Sequence, residues 1–245
     1  MPETIARQFA IDTRLKLGLQ STEFFDVYRA INSLGITCII RPLESKISGA
    51  TFRTNKVQII FVNSCKSLGH QNFTIAHELY HCRYDNNLTN RACSVEQFQR
   101  TSKNERIADY YAAHLLMPED GIFNQLRLHG KLDTNLKLAD VINLEQYFGV
   151  SRKAICWRLE ELKLINMQEC NNFSCNVLES ARLLGKDISL YKPTMKIEII
   201  SDYAEKAWEA LEQGLITEAR YEEILNDADL LDTIRGRQKE PDIAD

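Results

Sequence analysis

Apolar residues follow two rhythms along this chain. Between 21 and 35, Phe24, Val27, Tyr28, Ile31 and Leu34 recur at i, i+3, i+4, i+7 and i+10, one face of a helix. Ser21 or Thr22 can cap that helix and Gly35 can end it. The rhythm then shortens. ITCIIRPL (36–43) reads as a strand, ISGATFRT (47–54) as a weaker one and KVQIIFVN (56–63) as a strand rich in β-branched residues. The breaks are short and carry Gly and Asn, which favours an antiparallel meander over βαβ crossovers.

From 69 to 84 the pattern turns helical through FTIAHELYHCRY. The polar stretch 85–104 that follows is long for a connector in a compact domain and reads as a functional lid or a mobile loop. NERIADYYAAHLLM (104–117) predicts a second strong helix, stopped by Pro118. Helices are expected at 135–147 and 151–163 around the turn FGVS, and again near 200–213 and 217–230, broken at Gly214. The tail GRQKEPDIAD (236–245) reads as disordered. The fold class is therefore α+β: a small antiparallel sheet packed on helices, followed by a mostly helical extension.

Composition narrows this picture little. The chain has 245 residues, 44% apolar and 26% charged, as expected of a soluble globular protein with one substantial core or with one domain and a smaller appendage. No window is apolar enough to span a membrane, and the N-terminus mixes charges where a secretory signal needs an apolar run. A cytoplasmic location is expected. Seven cysteines, an odd number without framework spacing, suit a reducing compartment; Cys170 and Cys175 form a lone C-x4-C and read as ordinary thiols. Residues 201–245 carry 13 acidic and 5 basic side chains, a net of −8, against +4 for the first 200. Such an acidic end argues against a nucleic-acid site there.

The chemistry concentrates at His77-Glu78-Leu79-Tyr80-His81. Residues four apart on a helix differ by about 40° around the axis, so both imidazoles face one way and can hold a single metal ion. Glu78 lies next to the first ligand, placed to take a proton from a metal-activated water and pass it to the leaving amine. Two histidines on a partly buried helix face can also be held by ordinary hydrogen bonds, so a third ligand is needed. A downstream H-x-x-G-x-x-H ligand is excluded, because position 84 is Tyr and position 87 is Asn.

The segment Asn104-Glu105-Arg106-Ile107-Ala108-Asp109, 24 residues past His81 at Glu105, resembles the N-E-x-x-x-D helix of thermolysin-like gluzincins. That resemblance makes Glu105 the third metal ligand and Asp109 the acceptor of a hydrogen bond from the first ligand histidine. The chemistry agrees: Glu105 completes a His2Glu zinc site with one position open for water, and Asp109 fixes an imidazole tautomer. The bland alternative is that both acids only complement the helix dipole. His114, nine residues past Glu105, is half a turn out of phase and is read as a packing or surface residue. His70 and His129 sit beside glycines in turn-like contexts.

Taken together, these segments resemble the ImmA/IrrE family of metallopeptidases. Phe73–His81 matches its F-T-x-A-H-E-L-x-H block, and Glu105–Pro118 its E-x-x-A-N-x-F-A-x-x-L-L-M-P block, with Asp109 in place of Asn and Tyr111 in place of Phe. Ser48-Gly49, the strand IIFVN and YFGVSRKAICWRLEELKLI also fit, so the resemblance covers about residues 20–168. It implies a zincin domain over 21–130 after a leader at 1–20, and a helix-turn-helix-like extension at 131–168. A C-terminal helical region with a flexible acidic tail then fills 169–245. It further implies zinc-dependent regulatory proteolysis of a protein substrate such as a helix-turn-helix repressor. KVQIIFVN becomes the expected edge strand for substrate pairing. Tyr80, Tyr110 and Tyr111 are weighed as oxyanion donors against packing aromatics, and packing is favoured.

Two competing readings share the same residues. FGVSRKAICWRLEELKLI has helix-turn-helix proportions, with Arg152, Lys153 and Arg158 on its second helix, but Glu160, Glu161 and the acidic net charge dilute it. A non-hydrolysing zinc-bound regulator or toxin–antitoxin component would have no need of Glu78. Neither the substrate sequence nor the oligomeric state is encoded in these patterns.

Overall fold

The computed structural model describes residues 2–54, 57–85, 91–93, 102–132 and 135–227. Most of the polar stretch 85–104 and the 236–245 tail, with the lid or mobile loop and the disorder expected of them, lie outside these residues.

Where a leader was expected, Pro2–Lys16 is a helix, α1, packed along a later helix. Its buried positions are Ala6, Ala10, Thr13 and Arg14, spaced as one face but too small to register as an apolar stripe. The Arg14 guanidinium is buried and donates to the carbonyls of Leu115, Gln20 and Glu23, tying the helix to its surroundings. Burial pulls its pKa down to about 10. The next helix, α2 (Val27–Ser33), starts later than the pattern suggests. Asp26, neither Ser21 nor Thr22, caps it by accepting from the amides of Tyr28 and Arg29. Phe24 is left outside it and exposed, while Gly35 ends the turn at φ +66° as expected.

Strands β1 (Thr37–Arg41), β2 (Gly49–Arg53) and β3 (Gln58–Asn63) are followed by α3 (Leu68–Arg83), β4 (Arg91–Cys93) and α4 (Lys103–Leu116). The chain belongs to the α+β class, but the sheet is mixed. Its order is β4-β2-β3-β1-β5, where β5 is Glu198–Ile200, and β1 runs parallel to β3. The expected meander fails at one connection. Residues 42–48 do not turn back beside β1 but cross the end of β3, held by the buried Asn63. Its amide nitrogen donates to the carbonyls of Leu43 (3.0 Å) and Ile47 (2.9 Å), and its oxygen accepts from the amides of Leu43 and Cys65. As a result β3 is a central strand, and the edge role assigned to KVQIIFVN is withdrawn. Cys38, Ile40, Ile60 and Val62 bury one sheet face. Against that side lies α3, buried along almost its whole length.

Helices α5 (Glu119–Leu128), α6 (Leu138–Phe148), α7 (Arg152–Glu161), α8 (Met167–Phe173), α9 (Val177–Leu183), α10 (Tyr203–Glu212) and α11 (Glu218–Asp227) complete the described chain. Pro118, read as a stop, is also the N-cap position of α5. The basic face expected of α7 is largely internal. Arg152 is buried and forms a two-pronged pair with Glu145 (2.5 and 2.7 Å). Arg158 is buried and donates to Met117 O, Glu161 and His114. Those guanidiniums cannot reach a phosphate backbone, so the helix-turn-helix-like segment lacks two of its three expected cations. Among the described residues no helix is long and apolar enough to cross a membrane, and Cys38, Cys65, Cys82, Cys156, Cys170 and Cys175 are free thiols.

Candidate metal centre

A helix buried on nearly every side is costly to load with ionisable groups, yet α3 carries His77, Glu78 and His81, exposed by 3% or less. Such groups persist only where partners satisfy them. Each imidazole has a carboxylate on its Nδ1: His77 Nδ1 lies 2.8 Å from Asp109 Oδ1, and His81 Nδ1 lies 3.0 Å from Asp85 Oδ2. A carboxylate only accepts, so each Nδ1 carries the proton and each Nε2 presents its lone pair.

Both lone pairs face Glu105, which α4 brings up in its first turn. Its Oε2 is 3.4 Å from His77 Nε2 and its Oε1 is 3.4 Å from His81 Nε2. A tetrahedral zinc ion with bonds of about 2.0–2.2 Å has ligand-to-ligand edges of roughly 3.3–3.6 Å. The His2Glu donor set suits such an ion, and its three ligand atoms lie within 4.8 Å of one another, close enough to converge on one centre.

The sheet positions α3 through the inward residues of β2. Thr51 Oγ1 donates to Glu78 Oε2 at 2.6 Å. Arg53 donates to the carbonyls of His81, Cys82 and Asp85, closing the helix C-terminus. Asp85 in turn accepts from Asn104 Nδ2 at 3.0 Å, which links the end of α3 to the start of α4. Pattern reading singled out His77, Glu78, His81, Glu105 and Asp109; the fold brings His77, His81, Glu105 and Asp109 into contact, and Glu78, next to His77 on α3, turns its carboxylate to Thr51. It missed Asp85, although an acid four residues past His81 was the available signal. Thr51 and Arg53 gave no signal, because sheet register decides their contacts.

Among the remaining candidates, the Tyr80 ring lies edge-on to that of His81, 5.3 Å between centroids. Tyr111 is fully buried with its hydroxyl 2.8 Å from Thr13 Oγ1, and Tyr80 stacks in the same cluster with Tyr84 and Phe9. Tyr110 rests against Trp157, so all three pack. His70 Nε2 lies 2.9 Å from Ser48 Oγ, at the start of α3. His114 approaches Glu3 and Glu161 closely enough to suggest a second metal group. Arg158, however, donates to both His114 Nδ1 and Glu161, so a guanidinium already occupies the cation's place. Burial, with Arg158 and Arg7 nearby, pulls the His114 pKa down to about 3.

Residues 31–160, more than half of the chain, match the family model of the IrrE N-terminal-like domain, a peptidase family. The chain belongs to this family. No curated protein matches it. Membership gives the protein a metallopeptidase-like fold and implies both a metal and a protein substrate, and the matched span contains all of α3 and α4.

Proposed function

We propose that this protein is a zinc-dependent metallo-endopeptidase in which His77, His81 and Glu105 hold the ion and Glu78 is the general base. The observation that carries this reading is the convergence of two imidazole Nε2 atoms and one carboxylate, each Nε2 3.4 Å from a different Glu105 oxygen and the three ligand atoms within 4.8 Å of one another. Zinc bound there supplies Lewis acidity, lowering the pKa of a water and polarising a peptide carbonyl. Glu78 takes a proton at Oε1, which has no hydrogen-bond partner among the described residues, and returns it to the departing amine. Asp85 and Asp109 hold the ligand imidazoles in one tautomer while this happens. Regulated intracellular proteolysis, with a helix-turn-helix repressor as substrate, is the role the family resemblance supports. A DNA-binding regulator is the weaker reading, because Arg152 and Arg158 are buried in ion pairs.

Metal content tests the proposal directly. About one zinc per chain is expected in the wild type and in Glu78→Gln, with loss in Glu105→Ala. No zinc in any of the three, after purification without chelators, overturns it. If a repressor disappears equally fast in cells carrying Glu78→Gln, this site is not what degrades it.

A further inference from the structure

Along β2, the three inward positions address α3 in order: Gly49 meets Thr74 and Glu78, Thr51 meets Glu78, and Arg53 meets the carbonyls at the helix end. The middle contact falls on the general base. Thr51 Oγ1 is 2.6 Å from Glu78 Oε2 and 3.3 Å from the Glu78 backbone carbonyl oxygen. Thr51 is 3% exposed and Glu78 is fully buried, so water does not compete for this contact. The other carboxylate oxygen, Oε1, is buried and has no hydrogen-bond partner among the described residues. Gly49 keeps the neighbouring space clear: a Cβ there would lie 3.2 Å from Oε1, 2.5 Å from Thr74 Cγ2 and 2.9 Å from Phe61 O.

We infer that Thr51 is a positioning residue for Glu78, binding Oε2 so that Oε1 alone receives and returns the proton. This rests on the metallopeptidase reading and deepens it. A single hydroxyl proton goes to the nearer and charged acceptor, the carboxylate. With a proton on Oε1, Oε2 keeps its lone pairs and the Thr51 bond persists, so the carboxyl group does not rotate between the two halves of a proton shuttle. A freely rotating carboxylate would have to be reoriented at each step. Gly49 and Thr51 thus act from the same strand, one by leaving space and one by filling it.

Zinc-loaded protein and acetohydroxamate provide the test. This small chelator binds zinc and gives its proton to a neighbouring carboxylate, so it reports on Glu78 without a peptide substrate. Thr51→Val keeps the shape and removes the hydroxyl. It is expected to retain about one zinc per chain but to bind acetohydroxamate at least about tenfold more weakly, with Thr51→Ser within about threefold of wild type. Thr51→Val binding as tightly as wild type, while Glu78→Gln binds weakly, overturns the role of Thr51 and leaves the peptidase reading intact. Should Thr51→Val not fold, Thr51→Ser is compared with Thr51→Ala, and equal affinities overturn the inference. Wild type that takes up no zinc overturns the peptidase reading and this inference together.

Discussion

His81 Nδ1 lies 3.0 Å from Asp85 Oδ2, one helical turn further along the chain and just beyond the end of α3. This makes the outer shell of the candidate site double: Asp109 serves His77 from α4, and Asp85 serves His81 from the helix's own exit. Arg53 grips the Asp85 carbonyl at 2.6 Å, and Asn104 bonds its other carboxylate oxygen. Asp85 is thus held at both ends.

Asp85→Ala should weaken zinc binding by about 10–100-fold, the usual cost of removing a carboxylate behind a ligand histidine. Competition against a chromophoric chelator measures it. Affinity equal to wild type would mean that His81 is oriented without Asp85.

Replacing Arg152 should cost stability. Glu145 is fully buried, and its charge is balanced by the Arg152 fork and by the Tyr191 hydroxyl at 2.6 Å. Arg152→Ala leaves a buried carboxylate without its cation, at a cost of about 3–5 kcal/mol in urea denaturation. A helix-turn-helix role would give the opposite pattern, lower affinity for DNA with stability unchanged.

His114 should make the protein sensitive to acid. Its folded pKa, down at about 3, lies below the ordinary 6.5, so between those values the unfolded chain binds a proton that the folded one does not. The stability held by neutral His114 is fully present above about 6.5 and falls as pH drops toward 3. Asn can offer an acceptor oxygen to Arg158, so His114→Asn removes the titration while keeping that bond. Urea denaturation at pH 7.5 and pH 5 should show a smaller loss on acidification in the variant than in wild type. Equal losses would place the acid sensitivity elsewhere.

How much of this was legible depended on whether a contact is local. The two histidines share a face by helix spacing, and the Glu105–Asp109 pair was singled out by its resemblance to the gluzincin helix, with spacing again fixing that the two acids share a face. The partners of Glu78 and of the α3 C-terminus come from β2, and no spacing reveals which strand will lie there. Arg152 misled for a related reason: a cation on an amphipathic helix reads as surface until a carboxylate from the preceding helix meets it. The N-terminal helix was missed because Ala6 and Ala10 bury as small residues, which weakens the pattern without weakening the packing. The mixed sheet was missed because Asn63 steers the 42–48 crossing from far along the chain.

The last strand has a consequence for the order in which the molecule is completed. β5 pairs with β1 through Cys38↔Ile200, Ile39↔Ile199 and Ile40↔Glu198. During synthesis from the N-terminus, β1, β3 and the two helices of the site all emerge long before their neighbour at 198–200. Until then β1 presents an open row of backbone donors and acceptors, the kind of edge that invites pairing with another chain. Closing it joins segments far apart in sequence, a slow kind of contact to form. The helices of the candidate site can be in place early, while β1 stays open to pairing until residues 198–200 arrive.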